Sequence, residues 1–215
     1  MRGTTGSQNP GVCAIMSLMI TIAQAQTYYH NDSAHDFDHV LRVLANAEHI
    51  GRIERANMVV LRTATLLHDI ARADQEETGQ DHAAEGSRRA RLILCEAQQP
   101  AEFIEAVCHA IETHRFRVDN PPQTLEAKIL YDADKLDSIG AIGVARAFAY
   151  GGYVNRPLWA EDDSHIHTAW QEFRLKLSKV KDSLFTETAR QMAQERHLFM
   201  VQFFEQMARE VRGEQ

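Results

Sequence analysis

The segment Glu54–Ala73 constrains the fold most. Its residues Val59, Val60, Leu61, Ala64, Leu66 and Leu67 leave almost no polar surface. A helix at the surface keeps one polar face, so a stretch apolar nearly all round predicts a helix in the centre of the molecule. A central helix needs others around it, and the flanking sequence supplies them. His35–Ile50 carries Val40, Val43, Leu44 and Ala47 at the spacing that turns one helical face inward. Asp81 is placed to cap a helix that ends near Pro100, and Ala101–Thr113 predicts the next. Arg115–Gln123, with Asn120-Pro121-Pro122, reads as a loop. Thr124–Tyr131 begins another helix and runs into Asp132-Ala133-Asp134-Lys135-Leu136-Asp137. Ser138–Tyr150 is rich in small residues and suited to close packing, with Gly151-Gly152 expected to break it. After a second loop at Tyr153–Ser164, His165–Lys181 and Leu184–Arg212 predict closing helices, the last long and amphipathic. There is no convincing strand alternation, internal repeat, P-loop or GxGxxG. The expected fold class is therefore all-α, a helical bundle with a long C-terminal helix. Residues 1–11, polar and Gly-rich, are expected to be disordered, and 12–215 to form one domain.

Three cysteines, Cys13, Cys95 and Cys108, are an odd number without CxxC spacing. This fits buried free thiols in a reducing, cytoplasmic compartment better than a disulfide framework. The run Val12–Ala23 has two readings. With Arg2 upstream and Ala23-Gln24-Ala25 behind, it resembles a signal peptide. It also suits a first helix packed on the core, the reading that the cysteines favour. It is too short to span a membrane. The net charge of -7 argues against binding duplex nucleic acid, which needs clustered cations to displace counterions. A nucleotide in a local basic pocket remains compatible with it.

Eleven histidines are many for this length, and several stand beside carboxylates. His68-Asp69 interrupts the apolar run Thr65-Leu66-Leu67, Asp134 follows Ile129-Leu130-Tyr131, and His39 lies just inside a helix start. Burying such groups without partners costs a few kcal/mol or more, roughly. A cation would pair them, and imidazole with carboxylate suits Fe, Mn, Co, Ni or Zn, with Mg also possible. A lone buried histidine is more commonly a hydrogen-bonded core residue, and His35 with His39 would form an alternative pair one turn apart. The ordered set of His, His-Asp and Asp on separate helices carries the metal reading.

The strings His35-Asp36-Phe37-Asp38-His39-Val40-Leu41-Arg42-Val43, Leu67-His68-Asp69-Ile70 and Asp132-Ala133-Asp134-Lys135-Leu136-Asp137 resemble the HD-domain superfamily of metal-dependent phosphohydrolases. The run Ile139–Phe148, Thr186–Arg190 and Glu195-Arg196-His197 are similar to an uncharacterised bacterial subgroup of it. The resemblance spans roughly residues 28–210. It implies a helical bundle and metal ligation by His39, His68, Asp69 and Asp134, but no particular substrate.

His82 and His114 are candidates for a second metal, since some binuclear members carry extra histidines at similar places in the order. The alternative is a solvent-facing first-turn residue and a helix C-terminal residue. His109, five positions before His114, points elsewhere on its helix and reads as structural. Characterised members also place an acid about one turn after the His-Asp pair. Here Arg72 stands there, with Asp74 two residues on as a possible substitute.

The expected activity is hydrolysis of a phosphate ester or nucleotide-type bond by a metal-activated water. One or two divalent ions would serve, acting on a small phosphorylated or nucleotide substrate, without a membrane partner. Arg72 and Lys135 are candidates for holding phosphate charge, and Asp74 for acid or base work. Two other classes are open: a metal- or nucleotide-binding regulator without turnover, and a di-iron HD-type oxygenase. The sequence leaves the oligomeric state open.

Overall fold

A computed structural model of the chain describes residues 20–29, 37–115, 120–160 and 166–214. Most of Val12–Ala23, and the expected disordered segment 1–11, lie outside these residues, as does His35. Among the described residues every regular element is a helix: α1 (Ile22–Gln26), α2 (Phe37–Glu54), α3 (Met58–Leu67), α4 (Arg72–Thr78), α5 (His82–Glu96), α6 (Ala101–Thr113), α7 (Leu125–Asp137), α8 (Gly140–Tyr153), α9 (Ala169–Leu175), a 3-10 helix (Leu177–Asp182) and α10 (Glu187–Val211). None is long and apolar enough to cross a membrane.

Helix α3 is the central element that its composition predicts. It packs against α2, α6 and α7, while α5 covers α6 and α10 lies along α8. Leu61, Leu66 and Leu67 are fully buried, together with Ile50, Ile111, Ile129 and Leu130 from its neighbours. Each such side chain contributes roughly 1.5–3 kcal/mol by leaving water.

The start of this helix differs from the expected one. The chain turns at Arg55, in the left-handed region with φ 61°, and α3 restarts after Asn57. The Asn57 side chain accepts from the N–H groups of Val59 and Val60, satisfying two of the free donors at the helix start. Its end also differs. α3 stops at Leu67, so His68-Asp69 sits in a turn before α4 instead of within a helix. Gly151-Gly152 does not break α8, which continues to Tyr153. Glycine lowers helix propensity by about 1 kcal/mol, too little to end a helix already packed in place.

The cap predicted at Asp81 is present, and Thr124 supplies another. Asp81 caps α5 through the N–H groups of Ala83 and Ala84, and Thr124 caps α7 through that of Ala127. The long α10 is fastened to the bundle at its start. Buried Asp132 of α7 accepts from Phe185 N–H, Thr186 N–H and Thr186 Oγ1, at 2.9, 2.8 and 2.7 Å. Glu54 of α2 accepts from Thr188.

Candidate metal centre

The helices bring His39, His68, Asp69 and Asp134 together, and His82 and His114 join them. One donor atom each from His39, His68 and Asp134 lie within 4.8 Å of one another, and Asp69, His82 and His114 form a second such group. Asp69 stands between the two. Its Oδ2 is 3.8 Å from His39 Nε2 and 3.7 Å from His68 Nε2. Its Oδ1 is 3.2 Å from His82 Nε2 and 3.5 Å from His114 Nε2. Asp134 Oδ1 is 3.4 Å from His39 Nε2, and the nitrogens of His82 and His114 are 3.3 Å apart.

All four histidines present Nε2 inward because Nδ1 is engaged elsewhere. His39 Nδ1 donates to Asp137 Oδ2 at 2.7 Å, His68 Nδ1 to the Thr65 carbonyl at 2.7 Å and His114 Nδ1 to the Ile111 carbonyl at 2.6 Å. His82 Nδ1 meets the Gln75 side-chain oxygen. Outer partners of this kind fix the tautomer and turn the other nitrogen toward a cation. Two buried atoms in the middle, His68 Nε2 and Asp69 Oδ1, have no well-formed hydrogen bond. Orphaned polar atoms cost roughly 1–3 kcal/mol each. Facing imidazole and carboxylate donors, they fit a divalent transition metal ion.

The electrostatics agree with that fit. Burial opposes the carboxylate charge of Asp69, but the histidines around it, His68 first, hold it well below the usual range. At Asp134 burial is likewise overcome, here by Lys135 and His39. His68 is driven down to about 4, mainly by burial, and is neutral at ordinary pH. His39 is opposite: burial would lower it, yet Asp134 and Asp137 lift it to about 9.

Around these candidate ligands lie residues that sequence reasoning passed over. Asp137, nearly fully buried, receives Arg42 through two bonds, 2.7 and 3.1 Å, and Arg146 at 2.8 Å, besides His39. The spacing could have pointed to it: Asp137 is three after Asp134, and Arg42 three after His39, each on the same helical face. Gln75 and Arg115, whose guanidinium reaches both Gln75 Oε1 at 3.1 Å and the His82 ring at 3.4 Å, had no such signal.

The candidate catalytic residues are distributed unequally. Lys135 Nζ contacts Asp134 Oδ2 at 3.1 Å and lies over the Tyr131 ring. The Arg72 guanidinium is 3.0 Å from His82 Nδ1. Asp74 is paired with Arg89, which also binds Glu85. His109 accepts the Gln123 backbone N–H and so anchors the loop before α7.

A family model described as HD domain matches residues 36–139. The chain is 34% identical over 192 residues to the protein YpgQ of Bacillus subtilis, covering 84% of this chain and 86% of that one. A solved HD-superfamily hydrolase from Bacillus thuringiensis superposes with a TM-score of 0.75 at 31% identity, over 94% of this chain and 98% of the other. YpgQ in complex with ADP superposes with a TM-score of 0.70 at 30% identity, over 89% and 98%. The likeness to YpgQ extends over most of this chain, and the chain belongs to the HD-domain superfamily.

Proposed function

We propose that the chain is a metal-dependent phosphohydrolase of a small phosphate ester or nucleotide-type substrate, with two divalent ions that share Asp69. The observation that carries this reading is the bridging position of Asp69, one oxygen toward each group of histidines. His39, His68 and Asp134 would hold one ion, and His82 and His114 the other. Bound there, divalent ions lower the pKa of a water and stabilise charge on a phosphoryl oxygen.

The chain's own groups have separate work. Asp137 orients His39, and Gln75 orients His82. Arg72 and Lys135 stand beside the ligands as donors for non-bridging phosphate oxygens, and Arg115 adds a third cation on the His82 side. These cations would supply local positive charge for a phosphate in an acidic protein. The ADP bound by YpgQ supports the nucleotide side of the proposal. Asp74 serves as an acid only if it leaves Arg89, so the reading assigns it a minor part.

That ion pair also favours one rival, a metal- and nucleotide-binding protein without turnover. One assay separates the two. Protein loaded with Mn2+ is offered a panel of phosphate monoesters and nucleoside di- and triphosphates, with Asp69→Ala as control. The proposal expects phosphate or pyrophosphate release that the control and chelation abolish. Saturable nucleotide binding without product across the panel would favour the regulator.

A further inference from the structure

Two segments left unused by the metal centre meet on its far side. Ile139–Ile142, entering α8, and Glu195-Arg196 of α10 line a pocket of about 460 Å³ together with Arg42, Ala45, Asn46 and Asp137 of α2 and α7. This lies within the volume range of pockets that bind small metabolites. One end is polar, formed by Arg42, Asn46, Asp137 and Arg196. The walls are apolar, from Ala45, Ile139, Ile142 and Phe199.

The charges at the polar end are unbalanced. Asp137 alone receives Arg42, Arg146 and His39. Arg196 is half-buried, and its hydrogen-bond partners are neutral: the Leu136 carbonyl and Asn46 Oδ1, the latter at 2.9 Å. Among the described residues no carboxylate is bonded to it; burial lowers its pKa, and the nearby Asp137 carboxylate, already bonded to Arg42, Arg146 and His39, offsets this only in part. Glu195 lies exposed at the edge. The guanidinium is also held in place. Gly140, with φ 75°, has no Cβ, and one built there would come within 3.0 Å of the Arg196 stem. A side chain at 140 would therefore press on that stem.

We propose that this pocket binds a small organic anion with an apolar body, its charge on Arg196 and Arg42, and that occupancy is transmitted to His39 through Asp137. An anion at Arg42 competes with Asp137 for the guanidinium. It thereby alters the hydrogen bond that orients a metal ligand.

Binding is read calorimetrically on the metal-loaded protein with octanoate and octyl phosphate as probes, octanamide as the uncharged control and inorganic phosphate as the anion without a body. This needs no turnover, so it is independent of the hydrolase reading. The proposal expects saturable binding of one or both amphipathic anions, at least about tenfold weaker binding of octanamide and phosphate, and a similar loss in Arg196→Gln. Ala45→Trp fills the mouth from an exposed position and should abolish binding without disturbing the core. Asp69→Ala should keep it. No binding of either amphipathic anion, or binding unchanged in Ala45→Trp, overturns the proposal. Binding lost in Asp69→Ala but kept in Ala45→Trp would place the probe at the metal centre and overturn it equally. With octanoate bound, Mn2+ affinity should shift by at least about twofold in the wild type and not in Ala45→Trp. An unchanged affinity would overturn the coupling.

Discussion

The two flanks of the candidate metal centre are built differently. On the His39 side one outer partner is the Thr65 carbonyl behind His68 and the other a buried carboxylate, Asp137, clamped by Arg42 and Arg146, and His39 is lifted to about 9. On the His82 side the outer partners are a neutral amide and one backbone carbonyl, with Arg72 and Arg115 close by, and His82 is lowered, by burial first. A carboxylate behind an imidazole strengthens it as a ligand, whereas neighbouring cations weaken the pull on a metal ion. The flanks thus suit a firmly held ion beside Asp134 and a more exchangeable one beside Arg72 and Arg115.

The comparison breaks most completely at Asp69, which both flanks share. Asp69→Ala should leave no metal detectable by elemental analysis while the helical circular dichroism persists. His68→Ala should likewise empty the first group. Retention of a full metal complement in Asp69→Ala would mean that the carboxylate is not a ligand to either ion.

A smaller effect separates the flanks. Asp137→Asn should weaken the tighter ion by roughly 10–100-fold, the usual cost of losing an outer partner, and Gln75→Ala should affect only the weaker ion. Competitive chelator titration measures both. Equal losses at both sites from either substitution would erase the distinction.

Protons report the same asymmetry. Without metal, His39 is protonated below its pKa of about 9, whereas His68, at about 4, is already neutral. Ligation requires both to be neutral, so metal uptake near pH 7.5 should release about one proton at the first site, and apparent affinity should rise with pH up to about 9. Calorimetry in buffers of different ionisation enthalpy counts that proton. Asp137→Asn should reduce the count. The smallest effect is expected at Asp74: the partly exposed pair with Arg89 contributes below about 1 kcal/mol, and Asp74→Asn should slow hydrolysis less than Lys135→Ala.

These flanks were legible in the sequence to different degrees. His39, His68, Asp69 and Asp134 were readable because polar residues interrupted apolar helices in an ordered set, and the resemblance named them. His82 and His114 could be offered only as candidates, since a first-turn and a helix-end histidine have ordinary surface roles as well. The role of Asp132 was hidden: the pattern Asp132-Ala133-Asp134 gives no hint that one acid caps a distant helix and the other faces a metal site. Gln75 and Arg115 reach His82 only through tertiary packing, which no local periodicity encodes. The fold was largely readable from helical spacing and caps. The break at Arg55 was not, because no glycine marks the left-handed turn there, which Ala56 N–H closes onto the Gly51 carbonyl at 2.9 Å.

The central claim is that Asp69 joins two metal sites, and metal stoichiometry in the His82→Ala/His114→Ala double variant tests it most directly. The account predicts two ions per chain in the wild type and one in the double variant, the remaining ion still weakened by Asp137→Asn. A wild-type chain that holds a single ion, with the same content and the same hydrolysis rate after loss of both histidines, would contradict it.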